Sequence, residues 1–155
     1  MGNISYDSKW PMQFLGEHQH RIDAQGRVAI PARYREEFRH GIYLSKGLDP
    51  CVWVFSPQGW EEWAGAVGAM PLNQRRARVL RELVLGSAYG LDLDRQGRVL
   101  VPPPLRRYAD LAEEVVIIGG GSFLGLWDRR RWEEQELPSI EEAASQMAED
   151  GETSG

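Results

Sequence analysis

The sequence predicts an α+β protein, mostly β, in which two tandem units share the element order β-β-α-β-β-α. The main observation is an internal repeat: residues 23–31, Asp-Ala-Gln-Gly-Arg-Val-Ala-Ile-Pro, return at residues 94–102 as Asp-Arg-Gln-Gly-Arg-Val-Leu-Val-Pro. A second observation is that short apolar segments alternate with turn residues around each copy. A repeat of this length indicates one supersecondary unit used twice.

The first unit is expected over residues 14–59, where turn residues and prolines separate the apolar segments. Its predicted elements are strand 14–22, turn 23–26, strand 28–30, helix 31–38, strand 42–44 and strand 51–55. Pro31 supports the first helix, because proline is favoured at the first helical position. Ser56 and Pro57 form a typical helix start, so a second helix is expected to continue to Ala69.

The second unit is expected over residues 88–131 and repeats this order. Its predicted elements are strand 89–93, turn 94–97, strand 99–101, helix 105–109, strand 115–118, loop 119–122 and strand 123–127. A terminal helix is assigned to residues 132–137. Each unit is small for a stable fold by itself. The two are therefore expected to pack as a barrel-like, pseudo-symmetric core with edge helices.

Three further segments are assigned by composition. Residues 60–87 are predicted to be a helical connector, since the apolar residues of 72–84 have helical spacing and arginines fill the remaining positions. Residues 1–12 are polar without periodicity and are predicted to be a flexible leader. Residues 138–155 are acidic, with few large apolar side chains, and are predicted to be disordered.

The net charge of −5 over 155 residues is unevenly distributed. Eight acidic residues and no lysine or arginine follow residue 132, so residues 1–132 carry a balance of +3. Sixteen of the 18 basic residues are arginine, which suits bidentate contacts with phosphate and guanine. A GC-rich genome explains the arginines equally well. The single cysteine and the absence of a long apolar run favour a cytoplasmic protein without a membrane segment.

The repeated turn carries the candidate site. Gly26 and Gly97 permit the positive φ of a tight hairpin, and Asp23 and Asp94 are expected to shape the loops by accepting bonds from backbone amides. The arginine that follows each glycine then leaves the loop in a defined direction. The alternative is an ordinary turn whose aspartate and arginine form an internal ion pair.

Other chemistry is not supported by the sequence. The segment from Asp92 to Gly97 resembles the start of a calcium loop, but Pro103 stands where a bidentate glutamate is required. His18 and His20 have no evident third metal ligand. No nucleophile motif is present. We therefore expect no catalytic residue, no metal, no cofactor, no small-molecule substrate and no enzyme activity.

Three segments resemble the MraZ family: Phe14-Leu-Gly-Glu, residues 22–35 and residues 93–106. The resemblance covers about residues 14–133. It implies two AbrB-like units, each with an Asp-x-x-x-Arg signature, in a bacterial transcriptional regulator associated with the nucleoid. It also implies a homo-oligomeric ring that binds short G-rich repeats upstream of the division and cell-wall operon. The contact with double-stranded DNA would then lie at Arg27 and Arg98.

Arg21, Arg33 and Arg95 lie close to the two turns in sequence and are candidate phosphate contacts. The alternative for the arginines near Glu36 and Glu37 is a solvated, salt-bridged surface, which we favour for Arg35.

The sequence thus favours a sequence-specific DNA-binding repressor. One alternative is an antitoxin-like protein-interaction adaptor with AbrB-like units. Another is a hydrolase that uses Asp23 and Asp94 as paired carboxylates, which requires raised pKa values.

Overall fold

A computed structural model describes residues 14–154, so the leader predicted at residues 1–12 lies outside the described residues. The described part contains eight strands. These are β1 (Glu17–Arg21), β2 (Arg27–Ala29), β3 (Ile42–Lys46), β4 (Val52–Phe55), β5 (Tyr89–Leu91), β6 (Arg98–Leu100), β7 (Glu114–Gly119) and β8 (Leu124–Asp128). Each lies where the apolar pattern predicts a strand.

Helices fill the predicted positions between the strands. The α-helices are α1 (Pro57–Gly68), α2 (Arg75–Leu80), α3 (Pro103–Tyr108), α4 (Arg129–Arg131) and α5 (Leu137–Ser154). A 3₁₀ helix spans Ala32–Phe38, and π-helical turns at Arg81–Leu85 and Trp132–Glu136 follow α2 and α4. The Oγ of Ser56 accepts a hydrogen bond from the backbone N–H of Gly59 at 3.1 Å and caps α1 as expected.

The main sheet interlocks the two units. It has six antiparallel strands in the order β1-β7-β8-β4-β3-β5. The first strand of each unit therefore pairs with the third strand of the other unit, and β4 meets β8 at the centre. Exchanging the units leaves the order unchanged, which is the pseudo-symmetry expected from the repeat. Neither unit forms its sheet alone.

The remaining two strands form a separate ribbon. β2 pairs antiparallel with β6, so Val28 lies opposite Val99. Both valines are buried, and they belong to a core that fills the space between the ribbon and one face of the main sheet. Tyr34 and Phe38 of the 3₁₀ helix and Leu105 of α3 close this core. The α+β class with two tandem units is confirmed, with an open sheet covered by a ribbon in place of a closed barrel.

The opposite face of the sheet is covered by aromatic packing against α1. Trp60 stacks on Tyr43 with ring centroids 5.6 Å apart, and Trp63 meets Trp53 edge-on at 5.7 Å. The sheet therefore has a packed layer on each face. The ribbon lies on the face opposite α1, where its valines pack into the core.

The C-terminal segment differs from its prediction. The sequence predicts disorder over residues 138–155, but α5 extends from Leu137 to Ser154 and continues from the turn that contains Trp132. The acidic composition indicated disorder, whereas alanine and glutamate are good helix formers and the preceding turns supply a nucleus. No helix in the described part of the chain is long and apolar enough to cross a membrane.

Candidate nucleic-acid interface

Each repeated turn is built around its aspartate. The Oδ1 of Asp23 accepts hydrogen bonds from the backbone N–H of Gln25 at 3.0 Å and of Arg27 at 2.9 Å. The Oδ1 of Asp94 makes the same two bonds, each 2.9 Å long, in the second turn. Gly26 and Gly97 have φ values of +92° and +77°, as predicted for these turns.

The arginines of the two turns are held in place. The Nε of Arg27 bonds the Oδ2 of Asp23 at 2.8 Å, and Arg98 bonds Asp94 identically. A longer contact of 3.8 Å joins Arg98 to Asp23 across the repeats. The internal ion pair that the sequence left open is thus present. It leaves 34% of the Arg27 side chain and 28% of the Arg98 side chain exposed.

The register of the ribbon decides which side chains face outward. Arg27 lies opposite Leu100, and Arg98 lies opposite Ala29. Because Val28 and Val99 between them point into the core, both arginines lie on the outer face of the ribbon. Leu100 is 52% exposed on the same face. The outer face therefore presents two fixed guanidinium groups beside the apolar side chains of Ala29 and Leu100.

The electrostatics of the turns favour ionised aspartates. Hydrogen bonds from the Arg27 backbone N–H, together with the Arg27 side chain and the Gln25 amide, lower the pKa of Asp23 to about 2. The equivalent bonds from Arg98 and Gln96 also lower the pKa of Asp94. A hydrolase with paired carboxylates needs a raised pKa, so these aspartates do not fit that alternative.

Two further arginines lie against the repeated turns: Arg35, for which the sequence favoured a surface role, and Arg106, which it did not single out. The Nε of Arg35 donates to the Ile30 carbonyl at 3.0 Å, and its guanidinium lies against Gly97 of the other repeat. Arg106 bonds the Val101 carbonyl at 3.0 Å and lies against Gly26.

Arg35 is exposed, as the solvated alternative requires, but the predicted salt bridge with Glu36 and Glu37 is absent: none of the ion pairs among the described residues involves Arg35, and Glu36 pairs with Arg39 at 3.2 Å. Arg35 and Arg106 are separated in sequence by the same number of residues as the two turns. They are therefore equivalent positions of the internal repeat, and this equivalence is the signal that identifies them.

The other three predicted arginines surround the ribbon in different ways. Arg21 pairs with Glu113 at 3.4 Å, and both side chains are largely exposed. It lines a shallow groove that also contains Asp23 and Arg106. Arg33 lies over the ring of Tyr34 at 4.9 Å. Arg95 is exposed at the second turn, and its equivalent in the first turn is Ala24.

No group of three or more His, Cys, Asp or Glu side chains within the described residues is placed to hold a metal ion.

Comparison with known proteins identifies the family. The family model described as "MraZ protein, putative antitoxin-like" matches residues 13–83 and again residues 84–153. A protein of Herpetosiphon aurantiacus named "Transcriptional regulator MraZ" is 39% identical over 88% of this chain and 94% of its own length. Proteins of the same name from Moorella thermoacetica and Carboxydothermus hydrogenoformans are 43% and 42% identical over 78% and 77% of the chain, covering 85% and 83% of theirs. On these matches the chain belongs to the MraZ family.

Proposed function

We propose that this protein is a transcriptional regulator that binds double-stranded DNA in a sequence-specific manner through the outer face of the β2–β6 ribbon. The observation that carries this proposal is the matched placement of Arg27 and Arg98, each held by its own turn aspartate. The strand register supports the choice of this face, since both side chains lie on it.

The shape and chemistry of the ribbon suit the major groove. A two-stranded antiparallel ribbon is narrow enough to enter that groove. Each arginine uses its Nε for the turn aspartate, and no hydrogen bond to a terminal nitrogen of either arginine is present among the described residues, although Nη1 of Arg98 lies 3.8 Å from Asp23. We propose that these terminal nitrogens donate to the O6 and N7 acceptors of guanine. Leu100 adds an apolar group of the kind that contacts a thymine methyl.

Additional guanidinium groups favour a polyanionic partner. Arg35 and Arg106 are each held through Nε against a turn glycine, and Arg95 is exposed beside the second turn. We propose that these three residues, with Arg21 and Arg33, contact phosphate groups and position the ribbon. Asp23 and Asp94 shape the turns and offset part of the positive charge.

Self-assembly supplies the affinity that a single subunit lacks. The chain is acidic overall, with a net charge of −5, so one ribbon has little long-range attraction for DNA. We propose a homo-oligomeric ring whose ribbons engage repeated G-rich boxes, since linked sites gain by effective concentration. The family resemblance further supports a repressor role at the division and cell-wall operon, in the cytoplasm and near the nucleoid.

A second candidate is an antitoxin-like adaptor, which the description of the family model, "putative antitoxin-like", favours. A gel-shift titration with the DNA upstream of the gene, against a shuffled sequence of equal length, separates the two. A regulator prefers the upstream DNA, and because specific sites typically bind at least about 10³-fold tighter than random DNA, the preference is measurable. Equal binding to both sequences, or none, would favour the adaptor.

A further inference from the structure

Beyond Leu137, which packs against the buried cluster that contains Trp127 and Trp132, one side of α5 forms an apolar seam that its own chain leaves open. Ile140, Ala144 and Met147 are spaced by four and three residues, so they lie along this side of the helix. Ile140 is 46% exposed and Met147 is 73% exposed. A narrow stripe of this spacing is typical of a helix that packs on another helix.

Acidic side chains flank this seam. Glu141 follows Ile140 on one side, and Asp150, three residues after Met147, lies on the other. Residues 133–155 contain no lysine or arginine. Two copies of α5 packed together would therefore place acid against acid, which is unfavourable. The charge indicates that the occupant of the seam is basic.

The same chain carries a helix face with the complementary character. Arg75 and Arg76 are exposed on α2, on either side of Val79, which is 43% exposed. Leu72, just before the helix, is 58% exposed. Among the ion pairs of the described residues, none involves an arginine of α2.

The other side of α2 is already occupied, since Ala77 is fully buried against the body of the protein. The outer face is thus apolar at its centre, basic at its edges and open.

We propose that the α5 seam of one copy docks on the outer face of α2 in a second copy. Val79 and Leu72 then cover Ile140 and Met147, while Arg75 and Arg76 meet Glu141 and Asp150.

Two different surfaces meet in this contact, so it is heterologous and propagates from copy to copy; a rotation that closes gives the ring of the proposed function, and one that does not gives an open filament. This docking rests on the self-assembly included in the proposed function and assigns the contact that produces it.

A charge exchange between the two surfaces tests the docking. One variant carries Arg75→Glu and Arg76→Glu, and the other carries Glu141→Arg and Asp150→Arg, both in the full chain. Alone, each variant places like charges at the contact, so light scattering should give the mass of a single chain. Mixed in equal amounts, the two variants alternate and each contact between them pairs opposite charges again, so an assembly should return, with the wild-type mass where the ring has an even number of subunits. Circular dichroism checks that both variants are folded.

Three results would overturn the docking: a wild type that remains a single chain at micromolar concentration, separate variants that keep the wild-type mass, or a mixture that fails to reassemble. Arg27→Ala serves as the matched control and should keep the wild-type mass. Because the readout is mass without DNA, a failure of the DNA proposal leaves this test unaffected. A wild type that stays a single chain but recognises upstream DNA normally would reject both the docking and the ring, and it would leave the DNA contact of the ribbon standing.

Discussion

The guanidinium of Arg106 lies against Gly26, in the space that a Cβ at Gly26 would occupy. Arg106 belongs to the second repeat and Gly26 to the first, and Arg35 makes the reciprocal contact with Gly97. Each turn is therefore closed by an arginine of the other repeat. The relationship explains why the glycines serve packing as well as turn geometry.

Gly26→Ala is expected to destabilise the protein. The φ of +92° is strained for alanine, at a cost of about 1–3 kcal/mol, and the new methyl group displaces Arg106. Urea unfolding measures the change. Gly65→Ala in α1 is the matched control, since nothing lies within 4 Å of its added Cβ. In a helix interior this change should stabilise by roughly 0.5–1 kcal/mol. Equal free energies of unfolding for Gly26→Ala and Gly65→Ala would contradict the packing of Arg106 against the first turn.

The hydroxyl of Tyr34 is expected to stabilise the entry of the chain into β1. It accepts a hydrogen bond from the Leu15 N–H at 3.0 Å and donates one to the Leu15 carbonyl at 2.8 Å. Tyr34→Phe removes both hydrogen bonds from Leu15, a residue that is 56% exposed, so water can replace part of them and the free energy of unfolding should fall by about 0.5–1.5 kcal/mol. Tyr43→Phe, whose ring stacks on Trp60, is the control and should change little. Equal losses of stability in Tyr34→Phe and Tyr43→Phe would contradict the stabilising role of the Tyr34 hydroxyl.

The lowered pKa of Asp23 predicts that the free energy of unfolding decreases in acid. The pKa of Asp23 is lowered from 3.8 to about 2 in the folded chain, so its ionised form stabilises the fold above pH 4. That contribution disappears as the pH falls from about 4 through about 2. Wild type should therefore be more stable than Asp23→Asn at pH 6, and the difference should shrink towards pH 2. Denaturant unfolding at both values tests this, and a difference independent of pH would contradict it.

Arg35 and Arg106 are expected to act on DNA through phosphate. Replacing either residue by alanine removes one cation, so affinity should fall for upstream and shuffled DNA alike. The slope of log affinity against log salt should decrease by about 1 for each phosphate that the variant no longer neutralises. A reduction confined to the upstream sequence would show base recognition instead and reject the phosphate role. Binding isotherms at several salt concentrations give both quantities.

Local chemistry explains which parts of the structure were predictable. The turns follow from Asp23, Gly26 and their repeats, because the bonds that define them lie within five residues. The strands follow from alternating apolar residues. The exchange of β1 and β5 between the units was not predictable, since strand pairing across the repeats involves residues far apart in sequence. The contact of Arg35 with Gly97 was missed for the same reason.

The disorder predicted after residue 137 is wrong because a low content of large apolar residues does not exclude a helix. α5 contains alanines and glutamates that favour helix formation, and it extends an existing helical segment. The acidic residues that led to the prediction of disorder lie on either side of the apolar residues of α5.

A binding titration of three variants against upstream and shuffled DNA tests whether Arg27 and Arg98 on the ribbon recognise DNA. Arg27→Ala and Arg98→Ala should each lose about 1–3 kcal/mol of affinity for upstream DNA, with an unchanged mass. Arg130→Ala, which removes an exposed arginine of α4, should bind like wild type. Wild-type affinity and wild-type preference for upstream DNA in both Arg27→Ala and Arg98→Ala would show that the ribbon arginines do not recognise DNA.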